Sequence, residues 1–449
     1  MEYLDNLSLY DSDAALVFDD ETYSYRDLLN NIDYWDGKVS NIKPGSIVYI
    51  IGDYSFNAIS LFFSLAKIKA IVIPIVSENE EEIEKRIAVL KPNYIINIRQ
   101  GAPDTELLSN ELTQFELIDD IRKANKSGLV LFSSGSTGKP KAMLHDLDNL
   151  LATFMGKRRK KLSIMVFLMF DHIGGLNTLL NSLAMGAKLV IPSKREPEYV
   201  GKLIEDQKVN LLPASPTFLN MMLMANVPNN FDLKSLRMIT YGTEAMPKSL
   251  LARIQKFMPK VKLLQTFGTS ETGIAQTSSR SSSSLDIKFD DPNQEIKVVN
   301  GELWIRSKTK ILGYLNSDME SFSDDGWFKT GDLVEESGDG FFKIIGRAKE
   351  VINVGGEKVL PAEVESVVLE VPCVKDCVAY AAPNAITGQT VVVNIVLNSD
   401  SIEEKEAKKE IRKHCKAKLD SYKTPTKIKF EDNMGINERF KKVRLDKYK

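Results

Sequence analysis

Residues 133–141 read Ser-Ser-Gly-Ser-Thr-Gly-Lys-Pro-Lys, a run whose chemistry is that of gripping an anion. Gly135 and Gly138 let the backbone turn tightly and aim N–H groups at one point. Ser133, Ser134, Ser136 and Thr137 add hydroxyl donors, and Lys139 and Lys141 add the positive charge that a polyphosphate requires. Taken alone, the run has the composition of a plain flexible turn as much as of a phosphate site. A phosphoryl-transfer P-loop needs G-x-x-x-x-G-K-[ST] with a helix following at once. Here Gly135 and Gly138 are too close, and Pro140 removes a backbone donor and leaves no hydroxyl for a metal. The spacing excludes the P-loop kinases and NTPases.

Other residues have types that suit nucleotide chemistry, each beside a plainer reading. Asp332 sits in a Thr-Gly-Asp turn. A carboxylate accepts two hydrogen bonds from a diol, but Asp is also a turn former. Glu271 offers the hard oxygen that magnesium prefers, and is otherwise an ordinary solvated acid. His172, one of 3 histidines, stands beside apolar residues, where a histidine is commonly a satisfied structural group. Lys441 and Lys442 lie in a basic tail. A cation there would offset charge building on an anionic centre, while the bland alternative is a solvated face.

The elements that must position these residues follow from periodicity. Between 126 and 267, short apolar runs at 128–132, 187–191, 209–213, 236–241 and 261–267 alternate with helical spacing at 196–207, 215–226 and 245–258. That alternation predicts parallel sheet with crossover helices. Ser215 is a plausible N-cap with Pro216 at the first helical position. Strands at 46–51 and 70–75, with a helix at 56–69 between them, repeat the theme. After about 285, runs at 301–307 and 341–345 flanked by Asp/Gly turns predict hairpins. A smaller α+β unit follows: a helix at 361–370, strands at 374–381 and 390–397, and a charged helix to about 419 capped by Ser401 and Glu404. The expected fold is therefore α/β, a large N-terminal domain of layered subdomains with a β-rich part over 1–347 and a small α+β domain over 348–449.

With 43% hydrophobic and 27% charged residues and a net charge of −2, the 449-residue chain has a soluble globular balance and no field that demands nucleic acid. The basic run 157–161 and the serine run 278–284 read as solvated loops. The first residues lack a secretory pattern, and no apolar stretch is long enough to span a bilayer. Cys373, Cys377 and Cys415 are too few and too odd in number for a disulfide framework, and His414 alone makes a poor zinc partner. A cytoplasmic location is expected.

The run Ser-Ser-Gly-Ser-Thr-Gly-Lys-Pro-Lys-Ala-Met-Leu-His resembles the phosphate-binding signature of the adenylate-forming superfamily, which includes acyl-CoA synthetases, nonribosomal-peptide adenylation domains and luciferases. Stretches at 22–28, 170–176, 241–247, 266–273, 301–307, 327–333 and 346–365 resemble further motifs of that superfamily in the expected order, so the likeness covers nearly the whole chain. The region 352–365 resembles acyl-CoA ligases more than peptide-synthetase adenylation domains.

The resemblance implies roles residue by residue. Asp332 would hold the ribose hydroxyls and Arg347 the ribose and phosphate region. Gly242, Thr243 and Glu244 would form one adenine wall, with Phe267 stacking on the other side and Gly268 leaving room. Ser270 keeps the hydroxyl of the usual threonine, and Glu271 would hold magnesium. His172 would border the acyl site, whose wall would take in Gly174, Tyr241, Gly242, Phe267, Thr269 and Ile274. The family's catalytic lysine falls best on Lys442, with Lys441 as the substitute, although the preceding glycine and proline of that signature are missing. Lys349 would be the hinge of a mobile C-terminal domain, and 354–360 with Gly355 and Gly356 would line the path of a thiol. The implied reaction is ATP-dependent activation of a small carboxylic acid through an acyl-adenylate, then transfer to CoA. A carrier-protein phosphopantetheine as acceptor and a non-catalytic nucleotide-binding relative are the alternatives.

Overall fold

In the computed structural model, strand-forming runs buried on both faces build two seven-stranded sheets. The structure describes residues 1–99, 104–108, 111–134, 139–398, 403–435 and 442. The first sheet runs, in spatial order, Lys262–Gln265, Met238–Tyr241, Leu211–Ala214, Ser163–Met165, Lys188–Val190, Ala14–Phe18 and Glu21–Ser24, parallel except for its last pair. The second centres on Ile71–Ile75 and Ile47–Ile51, parallel to each other and to Tyr94–Asn97. Within Ile47–Ile51 the side chains alternate. Val48 and Ile50 enter the central core, while Ile47, Tyr49 and Ile51 enter the core on the outer face.

Helices Tyr25–Val39, Phe56–Lys67 and Ile173–Ala184 lie between the sheets and fill that central core. Helices Pro197–Gln207, Pro216–Met224 and Lys248–Phe257 cover the far face of the first sheet, and Glu80–Val89 and Glu116–Lys123 that of the second. The result is five alternating layers. Ser215 caps as expected, its hydroxyl accepting from the Phe218 N–H at 3.1 Å with Pro216 beginning the helix.

Three expectations change. The run at 128–132 belongs to the second sheet, as strand Gly128–Ser134 beside Ile71–Ile75, and pairs antiparallel with a strand Pro140–Asp146 that periodicity did not reveal. The phosphate-type run therefore bridges a β-hairpin. The run at 261–267 splits: Lys262–Gln265 ends the parallel sheet, and Phe267–Thr269 forms a hairpin with Gly273–Ala275. Helix Glu404–Lys418 takes Glu403 as N-cap without a side-chain cap bond, and Ser401 lies outside the described residues.

A six-stranded antiparallel sheet follows, including Glu302–Ser307, Phe328–Glu336 and Phe342–Arg347 around Ile287, Leu303, Ile305 and Val334. The last sheet, from Ile352–Val354 to Lys427–Phe430, packs helices Pro361–Val368 and Glu404–Lys418 in a core drawn only from residues beyond 351. The chain is thus mixed α/β, with a large N-terminal and a smaller C-terminal domain.

Candidate active site

Where the first sheet's strands end, the chain opens into a cleft of about 480 Å³. Ser133 and Lys141 stand opposite each other on the hairpin and both line it. The Lys141 ammonium lies 5.2 Å from the Tyr314 ring centroid. The Tyr314 hydroxyl donates to Glu271 Oε1 at 3.0 Å. Burial, then the charge of Glu271, raises the Tyr314 hydroxyl above its ordinary pKa, so it stays a donor. Ser270 and Glu271 occupy the turn of the hairpin that begins at Phe267, and both face the cleft. Arg347, which ends strand Phe342–Arg347, also lines it, with Lys349 and Glu350 just beyond.

Sequence reasoning missed Tyr314. It lies in a two-residue strand, Gly313–Tyr314, tied antiparallel to Leu144 and Met143, so no periodicity marks it.

His172 caps helix Ile173–Ala184, its Nδ1 accepting from the Gly174 N–H at 3.0 Å. That bond makes the ring's Nδ1 an acceptor, so a neutral ring carries its proton on Nε2. Gly242 and Thr243 line the cleft below. A Cβ on Gly242 would sit 2.8 Å from the Thr266 carbonyl, so only glycine fits. Thr243 is held at φ +70°, a strained conformation for a β-branched residue. Gly268 also lines the cleft, but what requires a glycine is packing: a Cβ would meet Ile274 Cδ1 at 2.5 Å and the Gly273 carbonyl at 2.7 Å.

Asp332 and Arg347 are register partners on adjacent strands, with Arg347 Nε donating to Asp332 Oδ1 at 3.1 Å. Burial raises the Asp332 carboxyl above the usual range, and the Arg347 charge opposes it. The side chain is 8% exposed and lies behind Thr330 and Arg347, which reach the cleft.

Several expected residues stand apart from the cleft lining. Phe267 packs in the β-rich core, edge-on to Phe289 with centroids 5.6 Å apart. Tyr241, expected in the acyl wall, is buried in the core under the first sheet. Glu244 points the other way: it accepts from Thr217 Oγ1 at 2.7 Å and from the Lys442 backbone N–H at 2.9 Å. Lys442 places its ammonium 2.6 Å from Asp376 Oδ1 and 2.9 Å from the Cys377 carbonyl. Burial acts against that charge, but the carboxylates of Asp376 and Glu365 outweigh it and raise the pKa above its ordinary value. Gly355 and Gly356 form the turn of a hairpin in the smaller domain, away from the cleft lining. Lys139 is exposed, Ser134 closes its strand opposite Pro140, and Gly135, Ser136, Thr137, Gly138 and Lys441 lie outside the described residues.

The arrangement is a cleft charged at one end and neutral at the other, in a chain whose halves match one family. The family described as AMP-binding enzyme matches residues 7–315, and its C-terminal domain matches 363–441. The chain belongs to the AMP-binding enzymes. Among curated members, it is 26% identical over 434 residues to an indoleacetate–CoA ligase of Aromatoleum aromaticum, covering 85% of each chain. It is 27% identical over 395 residues to a 2-succinylbenzoate–CoA ligase of Bacillus licheniformis, covering 81% of this chain and 79% of that one. Among solved structures, an anthranilate CoA ligase in complex with anthranoyl-AMP superposes with a TM-score of 0.83 at 21% identity, over 98% of this chain and 95% of that one. The o-succinylbenzoate CoA synthetase of Bacillus subtilis superposes with a TM-score of 0.77 at 20% identity, over 99% and 97%. At such identities the superpositions establish the AMP-binding enzyme fold.

Proposed function

We propose that this AMP-binding enzyme is an acid–CoA ligase. A substrate carboxylate attacks the α-phosphorus of ATP and expels pyrophosphate; the thiol of CoA then attacks the acyl-adenylate carbonyl and expels AMP. The observation that carries the reading is the cleft's division, with Lys141, Glu271 and Arg347 at one end and an uncharged wall at His172 and Gly174 at the other. Its relatives named as CoA ligases support the same reaction over most of the chain.

In this reading Ser133, Lys141 and the 135–138 loop grip the phosphates, and Asp332 with Arg347 takes the ribose. Catalysis is positioning and electrostatics, without a protein nucleophile. Glu271 is the residue that would hold magnesium. Magnesium takes one or two carboxylates plus phosphate and water oxygens, so a single glutamate with one oxygen already accepting from Tyr314 fits it. The ion would mask charge on the triphosphate. His172, with Nε2 left to carry the proton, borders the acyl carbonyl. Cys373, Cys377 and Cys415 are buried and form no disulfide, which supports a reducing, cytoplasmic setting. No helix of the described residues is long and apolar enough to cross a membrane.

The domain boundary is taken at 347/348, with Lys349 as pivot, and Lys442 as the lysine that assists adenylation once the tail leaves Asp376. The test is pyrophosphate exchange into ATP over a panel of carboxylic acids, with acyl-CoA detected by mass spectrometry. Exchange that needs one acid, yields its CoA thioester and disappears in Lys442→Ala is the expected result. ATP binding without exchange for any acid refutes the reading.

A further inference from the structure

Helix Ile173–Ala184 presents Ile173, Gly174, Asn177 and Thr178 to the cleft, the i, i+1, i+4, i+5 pattern of one helical face. Its other face, with Leu176, Leu179, Leu180 and Leu183, is buried in the central core. The helix, Ile-Gly-Gly-Leu-Asn-Thr-Leu-Leu-Asn-Ser-Leu-Ala, carries no charged residue. Around it the cleft is closed by Leu168, Pro213, Ala214, Thr240 and Ile274, again without a charge. Every charged residue of the lining lies on other elements: Lys141 and Glu271 flank Tyr314, Arg347 pairs with Asp332, and Lys349 and Glu350 follow Arg347 in the chain.

Within that neutral wall the hydrogen-bonding capacity is uneven. The Thr178 hydroxyl donates to the Gly174 carbonyl at 2.8 Å, so its proton is engaged. Asn177 carries a carboxamide with donors and an acceptor, half-buried on the cleft face, and that carboxamide makes no hydrogen bond to another side chain or backbone group among the described residues. Only glycine fits at 174, where Leu168 and His172 close over the helix start: a Cβ would lie 2.9 Å from Leu168 Cδ1 and 3.1 Å from His172 Nδ1. His172, the N-cap, and Asn177 are five positions apart, about 7.5 Å along the axis. A single ring or short chain bridges that span.

We propose that Asn177 is a specificity-determining residue that reads a neutral hydrogen-bonding substituent on the acid, making the substrate class hydroxy- or amino-substituted small aryl acids. This inference rests on the acid-activating reading of the same cleft. A second carboxylate would meet no cation at this end, which argues against dicarboxylic acids. An alkyl chain laid along the helix would strip water from the Asn177 amide and return no partner, which argues against fatty acids.

The experiment measures pyrophosphate exchange with the full chain for 4-hydroxybenzoate, 4-aminobenzoate, benzoate, hexanoate and succinate, in wild type and Asn177→Leu. The wild type is expected to favour the substituted benzoates over benzoate by roughly tenfold in kcat/KM, and Asn177→Leu to remove that ratio. Asn177→Ser, smaller and still polar, serves the same comparison should the leucine variant fail to fold, and is expected to shrink the ratio. Wild-type preference for benzoate, hexanoate or succinate, or a ratio unchanged in both variants, overturns this inference while leaving the ligase reading intact. Exchange with no acid, despite ATP binding, overturns both.

Discussion

His145 is buried on strand Pro140–Asp146, opposite Leu129, and its Nε2 has no hydrogen-bond partner among the described residues. Burial alone lowers its pKa from 6.5 to about 4. The folded protein therefore holds this ring neutral where the unfolded chain would protonate it. A depressed folded pKa gives stability that is complete above 6.5 and is lost as the pH falls through about 4. Between pH 7 and pH 5 the linkage amounts to about 2 kcal/mol. The loss falls on the hairpin that carries the 133–141 run, so ATP binding should weaken along with stability. Replacing His145 with leucine, which has no proton to bind, should remove this part of the pH dependence. Urea unfolding followed by tryptophan fluorescence would measure it, since Trp35 lies in the central core. Wild type should lose about 2 kcal/mol more than His145→Leu over that pH interval. Equal losses in the two proteins would refute the burial argument.

Further outcomes follow from particular contacts. Thr243→Gly should relieve the φ +70° strain and raise stability by about 1 kcal/mol in chemical denaturation; unchanged or lower stability would contradict the strain. Tyr314→Phe should remove the hydroxyl from Glu271 and weaken calorimetric binding of ATP in magnesium by about tenfold, with little change in its absence. Asp376→Asn should leave the nearly buried Lys442 without its nearest counter-charge, cost about 3 kcal/mol of stability and raise the exchange rate by freeing Lys442. Unchanged stability and exchange would show that the Asp376 contact neither holds the tail nor restrains it.

Much of the fold was legible because its strands are buried on both faces or its helices carry clear stops. Ile47–Ile51 and Ile71–Ile75 are continuous apolar runs, and Ser215-Pro216 is a helix start that needs no tertiary information. Strand Pro140–Asp146 escaped because it opens on a proline and directly follows a glycine-rich run, so its local composition reads as loop. Its pairing with Gly128–Ser134 is what makes it a strand. Ser401 with Glu404 satisfied the pattern of a capping box, yet the helix starts from Glu403, since a local motif competes with where the helix can dock.

For the site, residue types were legible and directions were not. Ser133, Lys141, His172, Gly242, Thr243, Gly268, Ser270, Glu271 and Arg347 come together from five separate segments. Each was singled out by its motif. Which way a side chain turns depends on pairing that no motif states. Phe267 and Gly268 are neighbours on one short strand, and successive strand residues face opposite ways, so when Gly268 faces the cleft the Phe267 ring must enter the core. Thr243 and Glu244 diverge in the same manner at a left-handed turn: one reaches the cleft while the other receives Thr217 and the tail. Lys442 is set by a buried carboxylate 66 residues earlier in the chain, a partner that only the folded C-terminal domain brings within reach.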